Sequence, residues 1–282
     1  MSRPAGGLEG RAVLVTGGGT GIGAACATAL AADGAAVTIC GRREEVLTEA
    51  AERIAAAAAC GGSVQYVVAD VTDEESVVAA VARALEPTGR LDGCVANAGG
   101  GGGMGPYSVL ETDEFLRVLH LNVLGTMLCV KHAGPQMVAA GGGSFVGMSS
   151  IAGHVPHPYF GAYCVGKAGI EEMMRNCANE FGGRKVRFNA IRPGFIATEI
   201  MAGVPRDSPT FASYLENTPM DGVGEPSDVG DLARFLIGDE SRWITGTSIN
   251  VDGGHHLRRG PDFGPFLEPA LGKDVMQGEA PS

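Results

Sequence analysis

Short apolar runs alternate with longer amphipathic stretches along most of this chain. The runs AVLVT at 12–16 and AVTIC at 36–40 are continuous and rich in β-branched residues, which is typical of strands buried on both faces. Five further runs have the same character and bring the number of predicted strands to seven, at 64–69, 91–96, 143–148, 186–191 and 248–251.

Helical patterns occupy the stretches between these strands, at 24–32, 44–60, 74–85, 113–133, 161–181 and 228–237. This alternation predicts an α/β fold with a parallel sheet and right-handed crossovers. We expect a Rossmann-type, doubly wound sheet with helices on both faces, in a single domain that spans residues 1–254. Residues 201–221 contain three prolines and are expected to form an irregular, mobile lid. Residues 255–282 are expected to form a C-terminal tail.

Composition narrows the class of protein and its compartment. An apolar fraction of 45% with 19% charged residues indicates a globular protein. A net charge of −11 argues against nucleic acid or an anionic membrane as the main partner, and no apolar run is long enough to span a membrane. The seven cysteines are odd in number, lack a C-x-x-C pair and mostly fall in apolar runs. With no room for a signal segment before the first strand, we expect a reduced, cytoplasmic protein.

A glycine loop joins the first predicted strand to the first helix. Gly19, Gly21 and Ala24 fit the pattern G-x-G-x-x-A in the strand-to-helix context that a dinucleotide site requires. The glycines let the backbone approach a pyrophosphate, which the helix N-terminus stabilises. A P-loop is excluded because no Gly-Lys-Ser/Thr follows, whereas a purely structural glycine turn stays open.

Three residues around the sixth helix suggest proton-transfer chemistry. Tyr163 and Lys167 are four positions apart, so a helix places them on one face, and Ser150 precedes the tyrosine by thirteen positions. A nearby ammonium is expected to lower the pKa of the phenol, with the serine hydroxyl as a second donor. A half-buried tyrosine beside a surface lysine is the alternative. Asn122, within a predicted helix, more often bonds the backbone than takes part in catalysis.

Metal and hydrolase chemistry are both poorly supported. His154 and His157 lie three apart in a proline-containing loop, and His255 is followed by His256, but no third ligand follows at a suitable spacing. We therefore expect no metal. Ser150 lacks the G-x-S-x-G context of a nucleophile elbow.

Taken together, the spaced motifs resemble those of the short-chain dehydrogenase/reductase family over about residues 8–254. They comprise TGGGTGIG at 16–23, Asp70, ANAG at 96–99 with alanine in place of the first asparagine, Asn189, and Pro-Gly at 193–194. The resemblance assigns catalysis to Asn122, Ser150, Tyr163 and Lys167. It assigns cofactor binding to Gly17, Gly19, Thr20, Gly21, Ile22, Gly23, Arg42, Asp70, Val71, Asn97, Ala98, Gly99, Tyr163, Lys167, Pro193, Gly194, Ile196 and Thr198.

The family's chemistry implies hydride transfer between a nicotinamide and a carbonyl or secondary alcohol. Tyr163 would act as general acid/base, Ser150 would bond the substrate oxygen, and Asn122 would hold a water that connects Lys167 to solvent. Gly41 stands where NAD-using relatives carry an acidic residue, and Arg42 follows with a fork that can pair with a 2′-phosphate. We therefore expect NADP as the preferred cofactor, with NAD as the alternative.

The substrate is less well defined by sequence. Apolar residues in the loops predict a pocket for a lipophilic or acyl-thioester substrate, similar to that of 3-oxoacyl reductases: Met104, Tyr107, Val155, Phe160, Phe195 and Met201. An enoyl or dienoyl thioester reductase is one alternative. A catalytically silent sensor or scaffold that binds the dinucleotide is another, because fold does not fix function.

Self-association is the last expectation. The family commonly forms dimers or tetramers through the helices at 113–133 and 161–181, so we expect a homo-oligomer. Six apolar residues between Phe263 and Leu271 are too close to Pro and Gly to predict an amphipathic helix. We hypothesise that this tail crosses a subunit contact and packs near a neighbour's pocket.

Overall fold

The computed structural model describes residues 7–198 and 204–278. Within these ranges seven parallel strands form one sheet in the order β3-β2-β1-β4-β5-β6-β7. The strands are β1 (Ala12–Thr16), β2 (Ala36–Gly41), β3 (Ser63–Val68), β4 (Gly93–Ala96), β5 (Gly143–Met148), β6 (Val186–Pro193) and β7 (Ser248–Val251). The predicted Rossmann-type, doubly wound sheet is confirmed.

Helices cover both faces of the sheet because its side chains are apolar on both sides. In β1, Leu14 points into one buried cluster, whereas Val13 and Val15 point into the other. The first cluster is covered by α3 (Glu74–Leu85), α5 (Gly125–Ala139) and α6 (Ala162–Phe181). The second is covered by α1 (Gly21–Ala32), α2 (Glu44–Ala57) and α8 (Pro226–Ile237).

The order of the strands reverses between β1 and β4, which are neighbours in the sheet but are separated in the chain by β2 and β3. At such a switch point the connections leave the two strands in opposite directions and open a crevice at the carboxyl ends. The glycine loop after β1 and the segment after β4 therefore face each other across this crevice.

The long helix predicted at 113–133 is interrupted. It consists of α4 (Thr112–Leu119), a π-helical turn (His120–Leu124) and α5, which continues to Ala139. The extra residue of a π-helical turn cannot be seen in a hydrophobic period, and such turns are frequent at functional sites. Here the turn contains Asn122.

Two segments predicted to be irregular are helical. Within 201–221, α7 (Pro209–Glu216) begins at a proline, and the Ser208 hydroxyl caps it by accepting a hydrogen bond from the Phe211 N–H at 3.2 Å. In the tail, α9 (Gly264–Leu271) and α10 (Lys273–Met276) replace the expected structureless chain. The prediction of no helix there was wrong. Pro265 lies in the first turn, where proline is tolerated, and the helix also accommodates Pro269 in its interior. No helix in the described ranges has both the length and the apolar character needed to cross a membrane.

Candidate active site

A cavity of about 850 Å³ lies along the carboxyl ends of the strands. The glycine loop, the end of β2, the segments after β4, β5 and β6, and the start of α6 all contribute to its wall. This arrangement brings the loop predicted to bind a dinucleotide and the predicted catalytic residues Ser150, Tyr163 and Lys167 into one continuous space.

The glycine loop has the geometry of an anion cradle. Gly17 and Gly21 adopt positive φ values of 63° and 49°, which glycine reaches without strain. Thr20 is the N-cap of α1, and its side chain makes no capping hydrogen bond, so the first N–H groups of the helix are open toward the cavity. Gly23 does not line the cavity. A Cβ there would lie 2.1 Å from the Gly17 carbonyl oxygen, so Gly23 permits close packing of loop and helix.

Residues after β4 hold this loop in place. The Asn97 side chain donates to the carbonyls of Thr16 at 3.1 Å and Gly17 at 3.2 Å. In return, the Thr16 hydroxyl accepts from the N–H groups of Asn97 at 3.1 Å and Ala98 at 3.0 Å. Asn97, Ala98 and Gly99 all line the cavity. The ANAG segment therefore joins the two sides of the crevice.

The end of β2 forms a positively charged part of the wall. Arg42 and Arg43 line the cavity, and neither guanidinium has a hydrogen bond or an ion pair with any residue that the structure describes. Gly41 has open space around it, since an added Cβ would meet only a Leu47 methyl at 3.6 Å. Sequence reasoning singled out Arg42 but not Arg43, because only Arg42 matched the expected spacing.

The opposite rim of this part of the cavity contains Asp70 and Val71. The Asp70 carboxylate accepts hydrogen bonds from the Thr72 N–H at 2.9 Å and the Thr72 hydroxyl at 2.8 Å. Both Asp70 and Val71 line the cavity. A dinucleotide needs a glycine loop and unpaired N–H groups at the start of a helix, and this cavity has both. It also has two guanidinium groups without partners among the described residues, and the Asp70 carboxylate. The residues therefore fit that cofactor.

Lys167 is buried, with 4% of its surface exposed, and its Nζ donates to the Met148 carbonyl at 2.8 Å. Its burial lowers the pKa of the ammonium to about 8. The Nζ atom lies 5.5 Å from the centre of the Tyr163 ring. The hydrogen bond to β5 therefore fixes the lysine beside the phenol.

Burial raises the pKa of the Tyr163 phenol, and its interaction with the Ser150 hydroxyl opposes the shift. The spacing of Tyr163 and Lys167 predicted the opposite direction, from the cation alone. That prediction was wrong because desolvation of the phenolate is the largest influence on this pKa, and burial also disfavours the charge of the lysine. Ser150 lines the cavity, and its hydroxyl also accepts from the Ala152 N–H at 3.2 Å.

Asn122 lies behind the cavity wall and is fully buried. Its amide nitrogen donates to the carbonyls of Val118 and Gly100, both at 2.8 Å. A Cβ added at Gly99 would lie 2.6 Å from the Asn122 oxygen and 3.1 Å from Lys167 Nζ. Asn122, Gly99 and Lys167 are therefore packed directly together.

An ion pair beneath the predicted catalytic residues was not foreseen from the sequence. Glu171 accepts from the Arg192 Nε at 2.6 Å, and the Ser149 hydroxyl lies 2.8 Å from the same carboxylate oxygen. The Ser149 hydroxyl also lies 3.0 Å from the Lys167 carbonyl. Glu171 follows Lys167 by four positions, so it shares that helix face, a spacing that the sequence already contained.

After β6 the chain returns to the cavity. Gly194 approaches β7 so closely that an added Cβ would lie 2.6 Å from the Asp252 Cβ, and its N–H donates to the Val251 carbonyl at 2.9 Å. Pro193, Gly194, Ile196 and Thr198 all line the cavity.

The apolar end of the cavity partly differs from the predicted pocket. Met104, Phe160 and Phe195 line it, whereas Tyr107 and Val155 do not. Met201 lies outside the described residues. His157 and Tyr214 also line it, within the loop 154–160 and the segment 201–219 that were expected to form the pocket. Phe263 and Phe266 line it as well and were missed, because they lie in the tail, where no motif pointed to the site.

No group of three or more His, Cys, Asp or Glu residues suited to a metal ion occurs in residues 7–198 and 204–278. His157 is bonded through Nδ1 to the Val155 carbonyl at 2.8 Å. His255 is bonded through Nε2 to the Arg259 carbonyl at 3.1 Å.

Comparison with known proteins adds independent information. A family model described as enoyl-(acyl carrier protein) reductase matches residues 17–256. The cis-4-hydroxycyclohexanecarboxylate dehydrogenase of Sinomonas cyclohexanicum is 37% identical over 246 residues, which cover 87% of this chain and 96% of that protein. The 7alpha-hydroxysteroid dehydrogenase of Clostridium sardiniense is 36% identical over 256 residues, covering 89% and 95%. A solved short-chain type dehydrogenase/reductase from Mycobacterium ulcerans has a TM-score of 0.94 at 43% identity, over 96% of this chain and 99% of that one.

Proposed function

Since the chain belongs to the short-chain dehydrogenase/reductase family, and thus to the NAD(P)-dependent oxidoreductases, we propose that it interconverts a lipophilic ketone and its secondary alcohol with NADP. The observation that carries this proposal is the convergence of Ser150, Tyr163 and Lys167 on the cavity that the glycine loop lines. Two hydroxyl groups and a buried ammonium beside a dinucleotide cradle suit proton transfer to a carbonyl oxygen.

In the proposed mechanism, nicotinamide supplies or accepts the hydride when the cofactor is bound. Tyr163 donates its proton to the substrate oxygen during reduction, and Ser150 donates a hydrogen bond to the same oxygen as charge develops there. Lys167 holds the phenol in position and exchanges protons with it. Asn122 keeps the glycine-rich segment after β4 against the lysine, and it would also order the water through which Lys167 reaches solvent.

The directions of the pKa shifts of Tyr163 and Lys167 favour reduction of the ketone at neutral pH. With its pKa raised, Tyr163 carries its proton at pH 7 and is ready to act as an acid. Lys167, with a pKa of about 8, can release a proton to restore the phenol. Oxidation of the alcohol needs the phenolate instead, so this direction should gain rate as the pH rises.

The cofactor preference is proposed from charge. Arg42 and Arg43 line the cavity without partners among the described residues, and Gly41 offers no carboxylate to bond a ribose 2′-hydroxyl or repel a 2′-phosphate. A planar guanidinium pairs well with a phosphate. NADP should therefore bind more tightly than NAD.

The substrate class is proposed from the wall and from the relatives. The apolar end of the cavity is rich in aromatic side chains, which suits a carbon ring. The names of two relatives refer to hydroxyl groups on a cyclohexanecarboxylate and on a steroid. A ring-shaped secondary alcohol or its ketone is therefore the proposed substrate class.

Two alternative functions can each be judged against a specific observation. The matching family model is named for an enoyl reductase, so reduction of a carbon–carbon double bond in a thioester is the second candidate. A silent sensor is the third, but Tyr163 and Lys167 are both present, which favours an enzyme.

We also propose that the protein is a homo-oligomer and that it is located in the cytoplasm. Met127 on α5 and Val165 on α6 are apolar and exposed, on helices through which we propose a dimer or tetramer. All seven cysteines are free thiols, and burial raises the pKa of Cys26 to about 12, which suits a reducing cytoplasm. Sedimentation would give the assembly size.

One experiment tests the proposed activity. The protein would be mixed with NADPH or NADH and a panel of cyclic ketones, open-chain ketones and enoyl thioesters, and loss of the reduced cofactor would be followed. Turnover of ketones supports the proposal. Turnover of enoyl thioesters alone would favour the second candidate, and cofactor binding without turnover of any member would favour the sensor.

A further inference from the structure

The last part of the chain forms a wall of the cavity. We call residues 260–278 the C-terminal segment. It contains α9, and two of its side chains, Phe263 and Phe266, line the cavity opposite the catalytic residues. Phe263 and Leu267 are buried in a cluster with Phe195 and Tyr214. The segment is therefore part of the site and not a solvated end.

A series of touching rings connects the segment with the catalytic tyrosine. The centre of the Phe160 ring lies 5.8 Å from the centre of the Tyr163 ring and 4.8 Å from that of the Phe263 ring. The contact with Phe263 is edge to face. Phe263 in turn lies 6.1 Å from Tyr214, which stacks on Phe195 at 4.0 Å. Such ring contacts fix the orientation of each member. Phe263 is the member that joins the two halves of the series.

Hydrogen bonds between backbone groups and side chains attach the segment to α7. The Asp262 N–H donates to the Ser213 hydroxyl at 3.0 Å, and the Thr210 hydroxyl donates to the Asp262 carbonyl at 3.3 Å. Arg258, just before the segment, donates to the Glu216 carbonyl at the end of the same helix. These contacts place Phe263 in one register against Tyr214.

Close packing at Gly260 fixes where the segment begins. A Cβ added there would lie 2.3 Å from the Pro156 carbonyl oxygen and 3.1 Å from the His157 Nδ1. A larger residue at 260 must therefore push the segment away from the loop that precedes α6. This gives a way to displace the wall without removing any of its rings.

Among the residues that the structure describes, the end of the cavity that this wall closes carries no charged side chain. The charged residues among the described wall residues are Arg42, Arg43 and Asp70, all in the cofactor part, and Lys167. His157 is neutral at pH 7 because burial lowers its pKa to about 4. A carboxylate placed against the aromatic rings would lose its hydration without gaining a charged partner among these residues.

We propose that the C-terminal segment is a specificity element, which shapes the site for an uncharged, ring-shaped ketone or alcohol and rejects substrates with a carboxylate on the ring. This inference rests on the proposed function. The segment begins after residue 256, where the match to the family model ends.

The test compares the kcat/KM of three ketones: an ester, the matching free acid, and a small open-chain ketone. Methyl 4-oxocyclohexanecarboxylate and its free acid have the same ring, and 2-butanone has no ring to place against Phe263. We expect wild-type kcat/KM for the ester to exceed that for the acid by at least about tenfold. Phe263→Ala and Gly260→Val should each lower the ester value about tenfold and change the 2-butanone value less than about threefold.

The controls separate specificity from folding and cofactor binding. Trp243→Ala removes an aromatic ring that is 95% exposed and lies outside the cavity, and Gly264→Ala adds a methyl group in the same segment near only the mobile end of Asp262. Both should behave like wild type. The Kd for NADP should stay close to wild type in all variants. Phe263→Ala and Gly260→Val should lower the thermal midpoint, because one removes a buried ring and the other strains the packing, but both should be folded at the assay temperature.

A binding measurement distinguishes the failure of this inference from the failure of the proposed function. The Kd of the ester is measured by calorimetry with the oxidised cofactor bound. Ester binding that Phe263→Ala weakens about tenfold supports the segment's role, even if no ketone turns over. The inference is overturned if the acid is used or bound as well as the ester. Equal loss for the ester and 2-butanone in Phe263→Ala would also overturn it.

Discussion

Asn122 and Gly100 hydrogen-bond to each other in both directions. The Asn122 amide nitrogen donates to the Gly100 carbonyl at 2.8 Å, and the Gly100 N–H donates to the Asn122 oxygen at 3.3 Å. The remaining amide hydrogen reaches the Val118 carbonyl. Because the side chain is fully buried, it fixes the path of the glycine-rich segment where that segment passes Lys167.

Asn122→Ala should therefore destabilise the fold and slow the reaction. It leaves buried backbone groups without partners, which typically costs about 1–3 kcal/mol of unfolding free energy. We expect the loss in urea unfolding together with at least a tenfold fall in kcat as Lys167 loses its neighbour. Asn176→Ala, on an exposed face of α6, is the control. Unfolding of Asn122→Ala at the wild-type midpoint would contradict the bonding role.

Tyr163→Phe tests the proposed acid. Only the hydroxyl is lost, and the ring keeps its contact with Phe160, so fold and cofactor binding should persist. General acid catalysis contributes about 10²–10⁴ in rate, and kcat should fall by that factor. Tyr107→Phe is the matched control, because that hydroxyl bonds the Gly161 carbonyl outside the cavity wall. More than a tenth of wild-type kcat in Tyr163→Phe would exclude the assignment.

Lys167 gives a prediction about pH and stability. Its pKa falls from 10.5 to about 8 in the folded protein, so between these values the unfolded chain binds more protons than the folded one. Stability should therefore rise with pH across that window. Relative to Lys167→Met, wild type should gain unfolding free energy between pH 8 and pH 10. The Lys131→Met control, at an exposed ion pair, should run parallel to wild type. A flat difference between wild type and Lys167→Met would show that the buried ammonium is not perturbed.

Lys167→Met should also weaken cofactor binding, because by family resemblance the ammonium bonds the nicotinamide ribose. The Kd for NADP should rise by at least about tenfold, as expected when a charged hydrogen-bond partner is lost. Titration by quenching of protein fluorescence would measure it. An unchanged Kd would restrict the lysine to the proton-transfer role.

The sheet and the glycine loop could be predicted from sequence because both follow from local patterns. Buried strands require continuous apolar runs, and a tight approach to a pyrophosphate requires glycines at fixed spacing. The π-helical turn at Asn122 and the helix at Gly264 could not, since neither changes the apolar pattern. The direction of the Tyr163 pKa shift was missed for a different reason. Spacing reveals the neighbouring charge but not the desolvation that outweighs it.

Cofactor preference can be tested with two substitutions at the end of β2. Arg42→Ala should weaken NADP about tenfold and leave NAD nearly unchanged, because the guanidinium can pair only with the 2′-phosphate. Gly41→Asp should invert the preference, since there is room for a side chain at 41 and a carboxylate would bond the ribose hydroxyl and repel the phosphate. Arg184→Ala, distant from the cavity, controls for net charge. Equal loss of both cofactors in Arg42→Ala would refute the phosphate role.

The buried pair Glu171–Arg192 offers the last prediction. Glu171 is buried and the Arg192 side chain is only 13% exposed. The carboxylate also contacts Ser149, which in turn contacts the Lys167 carbonyl. Removing one partner leaves an uncompensated buried charge, so Glu171→Gln should lower the unfolding free energy by roughly 3–5 kcal/mol. The neighbouring Glu172→Gln is the matched control, because its pair with Arg175 is more than half exposed on both sides and should contribute little. Glu171→Leu combined with Arg192→Leu should recover much of the loss, since it removes both charges. The opposite result is a loss in the double variant that equals the sum of the losses caused by the two single substitutions. That result would show that the two residues are not coupled, and that Lys167 is held by the Met148 carbonyl alone.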